Sequence, residues 1–176
     1  MLVSEKVQRA LDFATQKHKG QKRIGGEDYI THPIAVWETV KKQGYGEEYQ
    51  ITALFHDLLE DTNATEREIL GYGNQSVLTA VKLLTKEKGC DMQKYIDEIK
   101  KNELAFVVKR ADRLHNLQSA FVADEQFRRR YILETVDWYL DFSKEIRIAV
   151  KKLAESLERP IAEVSFLYTP VESWKI

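Results

Sequence analysis

The segment ALFHDLLEDT contains four ionisable side chains whose spacing could support metal chemistry. On an α-helix, which turns by about 100° per residue, His56 and Glu60 would lie one turn apart, as would Asp57 and Asp61. Three carboxylates this close repel one another, and burying part of their charge is costly without a counter-cation. The segment therefore predicts a divalent metal site, and a solvated acidic helix end with an exposed His56 is the structural alternative.

Two other segments could complete such a site. His32 precedes Pro33 at a predicted helix start, which would fix the direction of its imidazole, although a surface histidine beside a helix end has the same pattern. Asp112 follows the apolar residues 106–108, and a salt bridge to a neighbouring arginine is its alternative role. Asn116 comes four residues after Asp112, on the same face of the predicted helix, where it could touch whatever the metal holds.

Together these residues would form a site with two imidazole and two carboxylate ligands: His32, His56, Asp57 and Asp112. This donor set suits transition metals such as Mn, Fe or Zn, and it leaves coordination positions open for water. A metal-bound water can be deprotonated near neutral pH and act as a nucleophile. Glu60 and Asp61 could position that water, take its proton or return one to a leaving group.

Helical periodicity dominates the segments that must position these side chains. Ser4 is a candidate N-cap for a first helix to about residue 17, and the glycine-containing segment 19–31 is typical of a loop. The segment EEYQITALFHDLLED predicts one continuous helix, and Thr65 with Glu68 predicts a capping box. Strand-type alternation is nowhere sustained. We therefore predict an all-α helical bundle, one domain over residues 1–176, with the catalytic motifs within 18–119 and C-terminal helices at about 124–160 before a tail.

Composition limits the partners. A net charge of −1 gives no basic field, so we expect a small-molecule partner and no nucleic acid. No apolar run approaches the roughly 20 residues that span a bilayer, so we expect no membrane partner and a cytoplasmic location. Cys90, the single cysteine, excludes an internal disulfide framework and is typical of a loop or helix start rather than a nucleophile. The C-terminal aromatic residues could form core or a homo-oligomer interface: Trp138, Tyr139, Phe142, Phe166, Tyr168 and Trp174.

These motifs match, in order and spacing, the H…HD…D pattern of HD-domain metal-dependent phosphohydrolases. The chain further resembles the RelA/SpoT-type alarmone hydrolases, which remove the 3′-pyrophosphate from ppGpp and pppGpp. Over about residues 5–125, the segments that carry the resemblance are ATQKHKGQKRIGGEDYITHP, HDLLEDT, LLTKE and VKRADRLHNLQS. The length is similar to that of stand-alone small hydrolases, which lack synthetase and regulatory domains.

The resemblance implies Mn²⁺ on the four candidate ligands, with other divalent transition metals as alternatives, and catalytic roles for Glu60 and Asp61. It also implies that Arg23 contacts the nucleotide by stacking on guanine and that Asn116 meets the ribose or base. Lys22 and Lys109 would supply positive charge for the polyphosphate.

The chain departs from the family pattern at three places. Where the family has Ser-Gly-Glu-Pro, this chain has Gly25-Gly26-Glu27-Asp28, which removes a hydroxyl and a proline and adds a negative charge. Gln118 and Ser119 stand where the family has arginine and threonine. Losing an arginine removes a charge-assisted contact, typically worth about 1.5–3 kcal/mol.

Three functions follow from these patterns. The first is metal-dependent hydrolysis of (p)ppGpp, with release of pyrophosphate from the 3′ position. The second is an HD-type phosphatase acting on another nucleotide, such as a deoxynucleotide or the 2′-phosphate of NADPH, which the departures keep open. The third is a sensing module that binds nucleotide and metal without turnover, against which the presence of both Glu60 and Asp61 argues.

Overall fold

The computed structural model describes residues 3–176, and over these residues the chain is built of helices, which confirms the predicted all-α fold class. Strand-like pairing within the described residues is confined to one isolated antiparallel bridge between Lys22 and Asp28. The chain divides into two compact units, the first ending at Asp112 and the second beginning at Arg113. The assignment of residues 1–176 to one domain stays a prediction.

The first unit carries the helices that bear the candidate metal ligands. Their bounds are α1 (Glu5–Lys17), α2 (Thr31–Lys42), α3 (Glu47–Phe55), α4 (Leu58–Asp61), α5 (Glu66–Tyr72), α6 (Gln75–Leu84), α7 (Met92–Lys101) and α8 (Glu103–Ser119), of which α8 continues into the second unit.

The predicted helix starts are found where the sequence places them. The Ser4 hydroxyl accepts a hydrogen bond from the backbone N–H of Val7, so Ser4 is the N-cap of α1. Thr65 and Glu68 form a capping box at the start of α5, in which each side chain accepts a hydrogen bond from the other residue's backbone N–H. Both features satisfy amide donors that a helix N-terminus leaves without intrahelical partners.

Helix α3 lies at the centre of the first unit and packs against α1, α2 and α6. All five residues 51–55 are buried, and Ile51, Leu54 and Phe55 are fully so. Burying each of these three side chains is worth about 1.5–3 kcal/mol, so α3 is fixed firmly in the core. The prediction of one continuous helix through HDLLED was wrong, because α3 ends at Phe55 and α4 begins at Leu58 after a turn.

The second unit contains the end of α8, then α9 (Glu125–Trp138) and α10 (Lys144–Glu155), which pack against each other. Short 3₁₀ turns follow α8 at Ala120–Val122 and occupy the tail at Ala162–Tyr168 and Val171–Ser173. Tyr139 and Phe142 are buried, so they belong to the core of this unit. Among the described residues, no helix combines the length and apolar character needed to cross a membrane.

A buried arginine organises the interior of the second unit. The guanidinium carbon of Arg113 lies 4.2 Å from the ring centre of Tyr131 and 3.8 Å from that of Tyr139. A guanidinium nitrogen also lies 3.3 Å from a carboxylate oxygen of Glu134. The cation is thus compensated by two aromatic faces and a carboxylate, which is what a buried charge requires.

Candidate metal centre

Two buried histidines from different helices meet at one point. His32 lies in the first turn of α2, and His56 is the residue that follows α3. Their Nε2 atoms are 3.1 Å apart, and both side chains are almost fully buried. The expectation that His32 stands at a helix start is confirmed, whereas its alternative as a surface histidine is wrong.

Two carboxylates face the same pair of nitrogens. Asp57 Oδ2 lies 3.1 Å from His56 Nε2 and 3.5 Å from His32 Nε2. Asp112 Oδ1, from α8, lies 3.1 Å from His32 Nε2 and 3.7 Å from His56 Nε2. The four residues predicted as metal ligands therefore converge, and donor atoms of His32, His56 and Asp57 all lie within 4.8 Å of one another.

The turn between α3 and α4 explains how two adjacent residues reach one point. On a continuous helix, the side chains of His56 and Asp57 would leave the axis about 100° apart. In the structure the helix stops at Phe55, and Asp57 precedes α4 with φ −100° and ψ −3°. The pattern of spacing pointed to residues that the structure brings together, but it could not show that the helix is interrupted at His56 and Asp57.

The orientation of His56 is fixed by the backbone. Its Nδ1 lies 2.7 Å from the carbonyl oxygen of Ala53, which can only accept, so Nδ1 carries a hydrogen and donates it. Nε2 is therefore the nitrogen that faces the cluster. Such a hydrogen bond from the far side of an imidazole is the usual means of fixing a histidine that ligates a metal.

The electrostatics of the cluster fit a bound cation. Burial opposes charge on His56, but Asp57 and Asp112 outweigh it and raise the pKa of His56 to about 10. Burial lowers the pKa of His32 below its ordinary value. Burial opposes the charge of both carboxylates, yet the neighbouring cations hold the pKa of Asp57 and Asp112 below the usual range. The site thus favours one positive charge, and two imidazoles with two carboxylates are a donor set that accepts a divalent ion.

Glu60 lies on α4, in the segment that follows the candidate ligands. Its Oε2 accepts a hydrogen bond of 2.9 Å from the backbone N–H of Lys86. Partial burial raises the pKa of Glu60, with a further contribution from the charges of Asp57 and Asp61. A carboxyl whose pKa is raised is better suited to exchange a proton near neutral pH.

Tyr29 connects Asp61 to the candidate metal ligand Asp57. The sequence did not identify Tyr29 as a functional residue. The Tyr29 hydroxyl lies 2.8 Å from Asp57 Oδ2 and 2.9 Å from Asp61 Oδ2. Burial and these two carboxylates raise the pKa of Tyr29 above its ordinary value, so the phenol stays protonated. The signal available in the sequence was the position of Tyr29, three residues before His32 at the end of the glycine-containing loop.

The four residues predicted to bind substrate are distributed differently. Lys109 donates a 2.9 Å hydrogen bond to Asp112 Oδ2, so its ammonium group lies beside the candidate metal ligands. Lys22 pairs with Asp28 at 2.6 Å on the exposed loop. Arg23 is in the turn of that loop, where its backbone N–H donates to the carbonyl oxygen of Glu27. Asn116 is on α8, in the second unit.

The family assignment follows from this fold and these residues. A profile of the family described as HD domain matches residues 10–146. The chain therefore belongs to the HD-domain family, as its H…HD…D motif predicted. An HD domain implies a divalent metal ion held by histidine and aspartate, and the buried cluster around His32 and His56 provides residues that fit one.

The relatives that this chain resembles in sequence are longer proteins. The chain is 32% identical to the GTP pyrophosphokinase rsh of Brucella melitensis, in an alignment covering 95% of this chain and 23% of that protein. It is 33% identical to the guanosine-3′,5′-bis(diphosphate) 3′-pyrophosphohydrolase of Aquifex aeolicus, covering 88% of this chain and 23% of the relative. The chain thus spans about a quarter of the length of these relatives.

A solved structure shares the fold. The structure, described as a metazoan ortholog of SpoT that hydrolyzes ppGpp, superposes with a TM-score of 0.72 and covers 88% of this chain and 97% of its own. Its sequence identity to this chain is 23%, so the likeness concerns the fold.

Proposed function

We propose that this chain is a Mn²⁺-dependent phosphohydrolase that removes pyrophosphate from the 3′ position of ppGpp and pppGpp. The observation that carries the proposal is the convergence of His32, His56, Asp57 and Asp112, with Glu60 and Asp61 following the His-Asp pair after two leucines. The names of the relatives support the substrate, because one of them is a 3′-pyrophosphohydrolase of the same nucleotide.

In this proposal the four clustered residues hold the metal. The bound ion would lower the pKa of a water molecule and so supply a hydroxide-like nucleophile near neutral pH. His56 can take part because its Nδ1–H is committed to Ala53 and its Nε2 faces the cluster. Lys109 neutralises the outer oxygen of Asp112, which leaves Oδ1 directed at the imidazoles.

The two following carboxylates manage protons. The water oxygen would form a bond to the phosphorus attached to the 3′-oxygen, the bond between that phosphorus and the 3′-oxygen would break, and the 3′-oxygen would gain a proton. The products are pyrophosphate and guanosine 5′-diphosphate (from ppGpp) or 5′-triphosphate (from pppGpp). Glu60 has a raised pKa and a fixed orientation through Lys86, which suits it to give or take a proton. Asp61, fixed by Tyr29, would orient the water or accept its proton.

The substrate would be held by residues other than the four metal ligands. Arg23 would stack on guanine, and Asn116 would contact the ribose or base. Lys109 and Lys22 would face the negative charge of the phosphates. We also propose a cytoplasmic location.

A second candidate function is hydrolysis of a different nucleotide by the same metal site. The observation that favours it is the 2.6 Å pair between Lys22 and Asp28, because Asp28 replaces the proline of the family pattern and compensates a lysine proposed to meet phosphate. Gly25 and Gln118 also remove a hydroxyl and a guanidinium found in that pattern.

The test compares substrates at fixed Mn²⁺. Purified protein is analysed for metal and assayed for pyrophosphate release from ppGpp and for the phosphate or polyphosphate released from deoxynucleoside triphosphates and NADPH. We expect a kcat/KM for ppGpp well above that for every other nucleotide. A value for ppGpp no higher than for the others would contradict the proposed substrate while leaving the metal site intact. If the protein binds metal but turns over none of these nucleotides, a sensing module is favoured.

A further inference from the structure

We propose that Tyr29 is a positioning residue, whose hydroxyl couples the metal-binding Asp57 to the catalytic carboxylate Asp61. The inference rests on the proposed function, because it takes from it the roles of these two aspartates. Its basis is the geometry of one phenol oxygen, which lies 2.8 Å from Asp57 Oδ2 and 2.9 Å from Asp61 Oδ2.

One hydroxyl proton serves two carboxylates in this arrangement. A phenol has a single O–H donor, so Tyr29 can donate to Asp57 or to Asp61 at a given moment. Asp57 Oδ2 also lies 3.1 Å from His56 Nε2. Charge withdrawn from Asp57 Oδ2 by a cation in the cluster weakens it as an acceptor, and the Tyr29 proton is then donated to Asp61. In this way the hydroxyl orients Asp61 in response to the state of the metal cluster.

The aromatic ring of Tyr29 is fixed independently of its hydroxyl. It stacks on the buried imidazole of His18, with ring centres 4.9 Å apart and planes inclined by 28°. It also meets His32 edge-on, with ring centres 6.1 Å apart. The backbone N–H of Tyr29 donates to the carbonyl oxygen of Gln21 at 2.9 Å. A phenylalanine at this position would keep all these contacts and lose only the hydroxyl.

The same loop holds the backbone of Asp61. Gln21 donates from its side-chain amide to the carbonyl oxygen of Asp61 at 2.6 Å, and its amide oxygen lies 2.8 Å from His18 Nδ1. Asp61 is therefore restrained at its carboxylate by Tyr29 and at its carbonyl by Gln21. This double restraint on one exposed carboxylate is explained if its direction matters to the reaction.

The test removes the hydroxyl alone, in Tyr29→Phe. We expect kcat for ppGpp to fall about 10–100-fold with KM changed less than about twofold, and Mn²⁺ affinity to fall about tenfold, as for partners that orient metal ligands. In an Asp61→Asn background, Tyr29→Phe should have little further effect on kcat, because the two residues act together. The matched control is Tyr72→Phe, which removes the hydroxyl of a tyrosine stacked on Phe13 and should leave kcat and Mn²⁺ affinity unchanged.

Several results would overturn the role of Tyr29. These are an unchanged kcat and Mn²⁺ affinity in Tyr29→Phe, an equal loss of kcat with and without Asp61→Asn, or a rise in KM alone. Loss of helical circular dichroism in Tyr29→Phe would make the hydroxyl a folding requirement and would equally contradict the proposal. If the wild-type protein does not hydrolyse ppGpp, the proposed function fails, but Mn²⁺ titration of the two tyrosine variants still decides the role of Tyr29.

Discussion

The Nε2 atoms of His32 and His56 lie 3.1 Å apart in a buried site. Two nitrogen lone pairs at this distance repel each other unless a hydrogen or a metal cation lies between them. Because His56 already donates its Nδ1–H to Ala53, a proton on Nε2 makes it an imidazolium. The raised pKa of His56 favours this protonated form in the absence of metal, and a divalent ion bound here would displace the proton.

Metal affinity should consequently rise with pH. The pKa of His56 is raised to about 10, so its proton is fully bound near pH 6 and is lost only as the pH passes through that value. We expect the apparent affinity for Mn²⁺ to rise up to about tenfold per pH unit between pH 7 and 9, because one proton is released per ion bound. Calorimetry in buffers of different ionisation enthalpy measures this proton release. An affinity independent of pH over this range would contradict ligation by His56.

The same shift sets the stability of the metal-free protein. A pKa raised in the folded state contributes stability that is fully present below the unfolded value, near 6.5, and is lost as pH rises through about 10. Protein treated with a chelator should therefore show a Tm that decreases from pH 7 to pH 10. His56→Gln should show a weaker decrease over the same range, and an equal decrease in both proteins would assign the effect to other groups.

The carboxylates Glu60 and Asp61 should affect turnover without affecting metal content. Glu60→Gln and Asp61→Asn each remove a carboxylate proposed to exchange protons, and we expect each to lower kcat by about 10²–10⁴-fold. Metal analysis of the variants should match the wild type. Glu66→Gln is the control, because Glu66 is an exposed carboxylate whose partner is Lys82 at 2.8 Å. Unchanged turnover in both test variants would mean that another group manages the protons.

Much of the candidate site was predictable because its residue types are unusual where they occur. A buried His-Asp pair needs a chemical reason, and the pattern around His56 and Asp57 indicated a metal without any structure. The break between α3 and α4 was not predictable, because the buried residues 51–55 and the following leucines fit one continuous helix period. The roles of Tyr29 and Lys86 depend on contacts across 32 and 26 residues of sequence, which helical periodicity cannot predict.

The exposed pair between Lys22 and Asp28 should weaken binding of a polyphosphate. In Asp28→Asn the ammonium group of Lys22 is released and a negative charge is removed, so we expect KM for ppGpp to fall severalfold. Because the pair is exposed, the effect should be largest at low salt and should shrink as ionic strength rises. Asp12→Asn, at an exposed aspartate of α1 that accepts from Gln8, is the matched control. Equal KM values in the Asp28 variant and the wild type at low salt would remove Lys22 from the substrate site.

Arg113 should be important for stability. Arg113→Met keeps most of the apolar length of the side chain but loses two aromatic contacts and the ion pair with Glu134. We therefore expect the free energy of unfolding to fall by about 2–4 kcal/mol. Urea unfolding measures this change. Arg9→Met removes a guanidinium at 5.9 Å from the ring centre of Tyr72 on an exposed residue, and it should cost much less. An equal fall in the free energy of unfolding in Arg113→Met and Arg9→Met would show that burial does not strengthen the contacts of Arg113.

The turn at His56–Asp57 makes one dipeptide a chelating unit. Two donor atoms 3.1 Å apart are supplied by neighbouring residues, so once one of them holds an ion the other is already at high effective concentration. His32 and Asp112 would instead bind the ion from α2 and α8, so their positions depend on how those helices pack. For the proposed metal, loosening of α2 or α8 would therefore leave the two donor atoms of this dipeptide in place.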